Sequence, residues 1–230
     1  MAENALIVGV GSGLSASLAR LFAREGMTVA LAARNPGKLD ALVKQTGARA
    51  YDCDAGNPAS VAKLFERVDK DLGGFGVVVY NASGRARGPV AELDPAAVLQ
   101  ALMVGCYGGF LVAQAAAKRM LAQGKGTILL TGASASVKGF AQSAPFAMAK
   151  FGLRGLAQSM ARELAPQNIH VAHFVIDGGI RQGPDDPRSD RGVDALLSPD
   201  AIAETYLHVH RQNRTAWTWE IELRPWVEKF

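Results

Sequence analysis

The run Val77-Val78-Val79 presents apolar side chains to both sides of any strand it forms. Successive strand residues point to opposite faces, so such a strand leaves no face for water and needs cover on both. Similar short β-rich runs recur along the chain: Ala5-Val10, Thr28-Ala33, Arg49-Cys53, Gly76-Tyr80, Thr127-Thr131, His170-Ile176 and Thr218-Leu223, with longer helical patterns in the gaps. Strands alternating with helices and buried on both faces predict an α/β fold, a doubly wound parallel sheet of Rossmann-like type. Nothing resembling a linker divides the 230 residues, so a single domain over 1-230 is expected.

Four helix starts are legible. Asn35-Pro36, Asn57-Pro58, Asp94-Pro95 and Ser198-Pro199 each set a capping side chain before a proline suited to a first helical turn. Between 177 and 198 no period is visible and Gly, Pro, Asp and Arg dominate. The expectation is a mobile substrate loop, against the alternative of a surface excursion without function.

The richest apolar stretch, Ala101 to Ala117, is interrupted by Gly105, Gly108, Gly109 and Gln114 and reads as a core or interface helix; no run is expected to cross a bilayer. Glu3 and Asn4 precede only a short apolar run, which gives the expectation of a cytoplasmic protein. Cys53 and Cys106 are far apart and lack metal-ligand spacing. The pairs His208/His210 and His170/His173 point in different directions on their elements and read as structural or surface histidines. A net charge of +4 with scattered basic residues gives little reason to expect nucleic acid and slightly favours anionic small ligands. Trp217, Trp219 and Trp226 fit an intersubunit surface or core packing equally.

Val8-Gly9-Val10-Gly11-Ser12-Gly13-Leu14 follows the first strand and opens a helix. Glycines there let backbone approach a pyrophosphate, while the helix N-terminus offers unpaired N–H groups and partial positive charge. The second strand ends in Ala32-Ala33-Arg34, without the carboxylate that would bind the ribose 2'-hydroxyl of NAD. Arg34 can meet the 2'-phosphate of NADP, so NADP(H) is the expected cofactor. An arginine merely exposed at a strand end stays open.

With these features and Lys150, the whole chain resembles the short-chain dehydrogenase/reductase family. Val8 to Ser15 is similar to its T-G-x-x-x-G-x-G, with Val8 for the threonine and Ser15 for the last glycine. Cys53-Asp54-Ala55 resembles the pair that holds adenine, Tyr80-Asn81-Ala82-Ser83 its N-N-A-G, and Asp177-Gly178-Gly179-Ile180 the P-G-x-[IV] that meets the nicotinamide. The resemblance thus implies a cofactor site of Gly9, Gly11, Ser12, Gly13, Leu14, Arg34, Asp54, Ala55, Asn81, Ala82, Ser83, Lys150, Gly178 and Ile180.

The family's catalytic Asn, Ser, Tyr and Lys fall by spacing on Gly105, Ala133, Phe146 and Lys150. The resemblance gives the tyrosine the role of general acid or base and the lysine two roles, lowering the tyrosine pKa and gripping the nicotinamide ribose. Phe146 has no proton to give. Ser134 is the best substitute hydroxyl, with a serine bonded to local backbone as the alternative. Ser143 reads as the cap of the helix containing Lys150. Lys150 keeps the ribose contact, with a structural surface lysine as the alternative. The expectation is an NADP(H)-dependent oxidoreductase acting on a small carbonyl or alcohol substrate with Lys150 and Ser134 as catalytic residues. The alternative is a catalytically inactive NADP(H)-binding regulatory or sensor protein. The family also implies a homodimer or homotetramer, and Gly105, Gly108 and Gly109 are expected to permit close approach between paired subunit helices.

Overall fold

The computed structural model describes residues 3–183 and 186–228. Seven parallel strands form one sheet in the order β3-β2-β1-β4-β5-β6-β7. They are β1 (Asn4–Val8), β2 (Thr28–Ala33), β3 (Arg49–Asp52), β4 (Val77–Tyr80), β5 (Gly126–Thr131), β6 (Ile169–Ile176) and β7 (Glu220–Leu223). All seven expected strands are present. The first ends at Val8, two residues early, because Gly9 already turns at φ +90°. The helices are α1 (Leu14–Arg24), α2 (Asp40–Thr46), α3 (Pro58–Leu72), α4 (Pro95–Leu102), α5 (Gly108–Gln123), α6 (Ala144–Leu164) and α7 (Pro199–His210).

The strand alternation decides what packs where. Leu6, Val8, Val78, Tyr80, Ile128 and Leu130 meet α3, α5 and α6 on one face. Ile7, Val77, Val79, Leu129, Ala172 and Phe174 meet α1, α2 and α7 on the other. Strand order reverses between β1 and β4, which opens a crevice at the carboxyl ends of the strands.

Asn57, Asp94 and Ser198 cap their helices as expected, accepting from the N–H groups of Ser60, Ala96 and Ala201. Asn35 does not: Pro36–Leu39 is a 3-10 turn held by the Asn35 carbonyl, and α2 begins at Asp40. The expectation for Ser143 is corrected too, since it precedes α6 without a side-chain cap bond.

The stretch 177-198 is less irregular than expected, although Pro184 and Asp185 lie outside the described residues. Its ends are stitched by a bridge between Ile180 and Leu197. Asp186, also followed by proline, caps a 3-10 helix at Pro187–Arg191 and accepts from the Gln182 amide and the Arg188 guanidinium. Asp177 accounts for itself as a buried carboxylate between Lys138 at 3.6 Å and Arg224 at 3.1 Å, tying β6 to the β5–α6 loop and to the end of β7.

Helix α4, a π-helical turn at Met103–Tyr107 and α5 run on as one rod of 29 residues, Pro95–Gln123. This corrects the expectation that no run could cross a bilayer: by length and composition this one could. Its Val112, Ala113, Ala116 and Met120 pack against the sheet, which accounts for its apolar character. The glycine expectation is overturned as well. A Cβ at Gly105 would lie 2.7 Å from Ala149 Cβ, at Gly108 2.6 Å from Ala55 O, and at Gly109 2.4 Å from Leu153 Cδ1. These glycines admit close packing inside the chain, while Leu99, Tyr107 and Phe110 face outward.

Candidate active site

The glycine-rich turn is locked from below. A Cβ at Gly9 would sit 2.3 Å from the Ala82 backbone nitrogen, so the turn lies directly on the segment after β4. Ser15, buried, donates to Gly9 O at 3.1 Å and accepts from Asn81 Nδ2 at 2.6 Å. The serine in place of a last glycine thus clamps the turn to Asn81. By contrast, Cβ atoms at Gly11 and Gly13 would meet nothing within 4 Å, and Gly13 precedes α1 without a side-chain cap. Open backbone before an uncapped helix is what an anionic group needs.

A crevice of about 620 Å³ brings together Gly9, Gly11, Arg34, Asp54, Ala55, Asn81, Ala82 and Ser83. An adjoining cavity of about 550 Å³ adds Ser12 and shares Gly11 and Arg34. It also gathers Arg20 and Lys38, which the sequence reading missed, and among the described residues no carboxylate lines it. Three cations, Arg20 from α1, Arg34 after β2 and Lys38 from the 3-10 turn, suit a phosphate rather than a ribose hydroxyl. Leu14 is a core residue, with its side chain turned into the α1 face. Gly178 lies against Pro225, and Ile180 pairs with Leu197; neither lines the crevice.

Lys150 is buried on α6, its Nζ donating to Thr131 O at 2.7 Å. Burial, reinforced by the nearby Arg85 charge, lowers its pKa to about 8. Phe146 lies one helical turn earlier, its ring centroid 5.9 Å from Lys150 Nζ. Arg85, also missed in the sequence, covers the ring with its guanidinium carbon 4.3 Å from the centroid and lines the crevice. Half-buried Ser134 begins a 3-10 turn after β5.

The chain has four tyrosines, and none takes the place beside Lys150. Tyr51 donates to Asp71 from β3, and Tyr80 donates to Val104 O. Tyr107 is exposed and stacks on Phe110. Tyr206 donates to Thr131 Oγ1 from the α7 side, stacked on Phe174.

Beneath the β5–α6 loop, Arg154 grips Glu220 with two bonds of 2.6 and 2.7 Å, and Glu220 accepts from His173 Nδ1 at 3.0 Å. That tautomer leaves His173 Nε2 to accept from the Ser136 hydroxyl at 3.3 Å, while Ser136 Oγ accepts from Ala133 N. Burial pushes His173 down to about 4 against the pull of Glu220. Since the unfolded imidazole titrates near 6.5, the contribution of neutral His173 is complete above that pH and lost between about 6.5 and 4. We expect about 2–3 kcal/mol less stability at pH 4 than at pH 7 from this group. Ring NMR should show His173 neutral down to about pH 5, and protonation near 6.5 would contradict the burial argument. Two of the remaining histidines are structural in the same sense, His170 stacking on Trp217 and His210 bonding Thr127 and Glu3, while His208 is exposed on α7.

Sheet order and phosphate turn together define a doubly wound α/β domain of the dinucleotide-binding type. The chain belongs to the short-chain dehydrogenase family, whose pattern matches residues 3–181. It is 31% identical over 172 residues to a D-threitol dehydrogenase of Mycolicibacterium smegmatis, covering 73% of this chain and 66% of that protein. It is 30% identical over 167 residues to a 3-oxoacyl-[acyl-carrier-protein] reductase of Bos taurus, covering 72% and 70%. Among solved structures, a short-chain dehydrogenase from Rhodopseudomonas palustris aligns with a TM-score of 0.85 at 35% identity, over 97% of this chain and 99% of that one. A metagenomic short-chain oxidoreductase in complex with NADP aligns at 0.84 and 25% identity, over 99% of both chains.

Proposed function

We propose that this protein is an NADP(H)-dependent oxidoreductase acting on a small carbonyl or alcohol substrate, with a catalytic set that lacks the phenol. The observation that carries this reading is a phosphate-suited crevice that reaches Phe146 through Arg85, with the buried Lys150 Nζ 5.9 Å from that ring though outside the crevice lining, while none of the four tyrosines stands beside Lys150. Gly11, Ser12, Gly13 and the start of α1 hold the pyrophosphate, and Asp54 and Ala55 flank the adenine. Arg34, with Arg20 and Lys38, holds the 2'-phosphate, as the NADP bound in the metagenomic relative supports. Lys150 would hold the nicotinamide ribose; Gly178 and Ile180, which do not line the crevice, are assigned to the nicotinamide by the family pattern alone. A nicotinamide held there would supply the hydride for reduction of a carbonyl. The proton that must reach the carbonyl oxygen comes from solvent or from Ser134, a slower route than a positioned phenol. The stretch 177-198 serves as the substrate loop.

Arg34 decides cofactor choice. An Arg34→Ala variant should lose roughly 10–100-fold in NADPH affinity and little in NADH affinity, measured by fluorescence titration. Equal weak binding of both nucleotides by the parent contradicts the 2'-phosphate assignment. NADPH turnover by the parent separates an enzyme from a cofactor sensor. Exposed Tyr107 and Phe110 on the rod, with Met148 and Phe151 on α6, are apolar surface suited to a homodimer or homotetramer.

A further inference from the structure

Beside the cofactor crevice, at its other end, lies a third cavity of about 330 Å³, small but within the usual range for ligands of about 300–1,000 Å³. Arg85 lines both, so the two spaces meet at its guanidinium. The smaller cavity is walled by Arg85 and Arg87 from the segment after β4, and by Phe140, Gln142 and Phe146 from the start of α6 and the loop before it. Gly88 N donates to Gln142 O at 3.1 Å and ties the two walls together. Gln142 holds φ +58°, a left-handed conformation uncommon for a side chain of its kind and found where a site over-determines the backbone.

The charges here are unbalanced. Arg85 and Arg87 are two residues apart, neither forms an ion pair among the described residues, and no carboxylate lines the cavity. Lys138 nearby is already matched by Asp177. Arg85 and Arg87 stand exposed at the mouth of the cavity, and partial desolvation, then the charge of Arg87, lower the pKa of Arg85. Stacking on Phe146 fixes the plane of Arg85 while leaving its N–H edges available.

We propose that this cavity is a substrate subsite for a carboxylate, and that the substrate is a small oxo acid or the corresponding hydroxy acid. Arg85 and Arg87 take the carboxylate by charge-assisted hydrogen bonds, and Phe140 and Phe146 pack the apolar body. The carbonyl to be reduced is thereby carried toward the junction with the cofactor crevice, marked by Arg85 and Phe146. This inference rests on the oxidoreductase reading above, because it assigns the acid to the substrate and not to the cofactor.

Calorimetric titration of the full chain with benzoate, benzamide and phenyl phosphate, with and without NADPH, tests it. Benzoate should bind at least about tenfold more tightly than its neutral isostere benzamide, and Arg85→Gln and Arg87→Gln should each erase that difference. Arg87→Gln should leave NADPH affinity unchanged, which also shows that the variant is folded. Equal binding of benzoate and benzamide, or no binding of either, overturns the subsite. Preference for phenyl phosphate overturns the carboxylate assignment, and a matching loss of NADPH affinity in Arg87→Gln returns the arginines to the cofactor. Failure of NADPH to bind the parent refutes the oxidoreductase reading separately, since the benzoate comparison is also made on the free protein.

Discussion

Phe146→Tyr should raise the rate of NADPH-dependent carbonyl reduction by roughly 10²–10⁴-fold over the parent, followed as loss of NADPH absorbance with an activated carbonyl substrate. The substitution adds one oxygen to a ring that already lies next to a buried ammonium, 5.9 Å from its centroid. A phenol there would find its pKa lowered by Lys150 and by Arg85 on the ring face, which favours proton exchange near neutrality. The gain should fall on kcat more than on KM, since the hydroxyl acts when charge develops on the carbonyl oxygen. No gain with unchanged NADPH affinity would mean that residue 146 does not face the reacting carbonyl.

Lys150→Met should weaken NADPH binding by roughly 10–100-fold and abolish turnover while leaving the fold almost as stable as before. Two terms oppose each other in stability. A pKa lowered from 10.5 to about 8 corresponds to about 3 kcal/mol spent on holding the ammonium in a buried place. Loss of the bond to Thr131 O costs about 1–3 kcal/mol in return. Urea unfolding at pH 7 should therefore differ by less than about 2 kcal/mol. The folded pKa lies below the unfolded one, so the penalty is complete below about pH 8. Parent stability should rise between about pH 8 and 10.4, and the variant should lack that rise. A variant that loses stability but keeps NADPH affinity would make Lys150 a structural lysine only.

Much of this architecture was readable before any coordinates. Val77-Val78-Val79 demanded cover on both faces, and the caps at Asn57, Asp94 and Ser198 marked helix starts through local bonds that depend on no distant residue. Asp186-Pro187 carried the same signature inside a stretch read as irregular, so its short helix was legible and overlooked. Other features were not legible. Gly105, Gly108 and Gly109 signalled close packing, but only the folded chain shows that Ala149, Ala55 and Leu153 are what they pack against. Arg20, Lys38, Arg85 and Arg87 look like any solvent-exposed cations in sequence, because their meaning comes from loops brought together by the sheet. Asp177 finds its partners, Lys138 and Arg224, in distant parts of the chain, which its sequence neighbours could not show.

A crystal structure of the NADP complex is the most direct test, because every functional assignment follows from where the nicotinamide lies. The arrangement described here predicts the ribose hydroxyls within hydrogen-bond distance of Lys150 Nζ, the 2'-phosphate on Arg34, and the ring of Phe146 beside the nicotinamide with no tyrosine hydroxyl near it. A nicotinamide bound away from α6, or one met by a tyrosine hydroxyl, would contradict it.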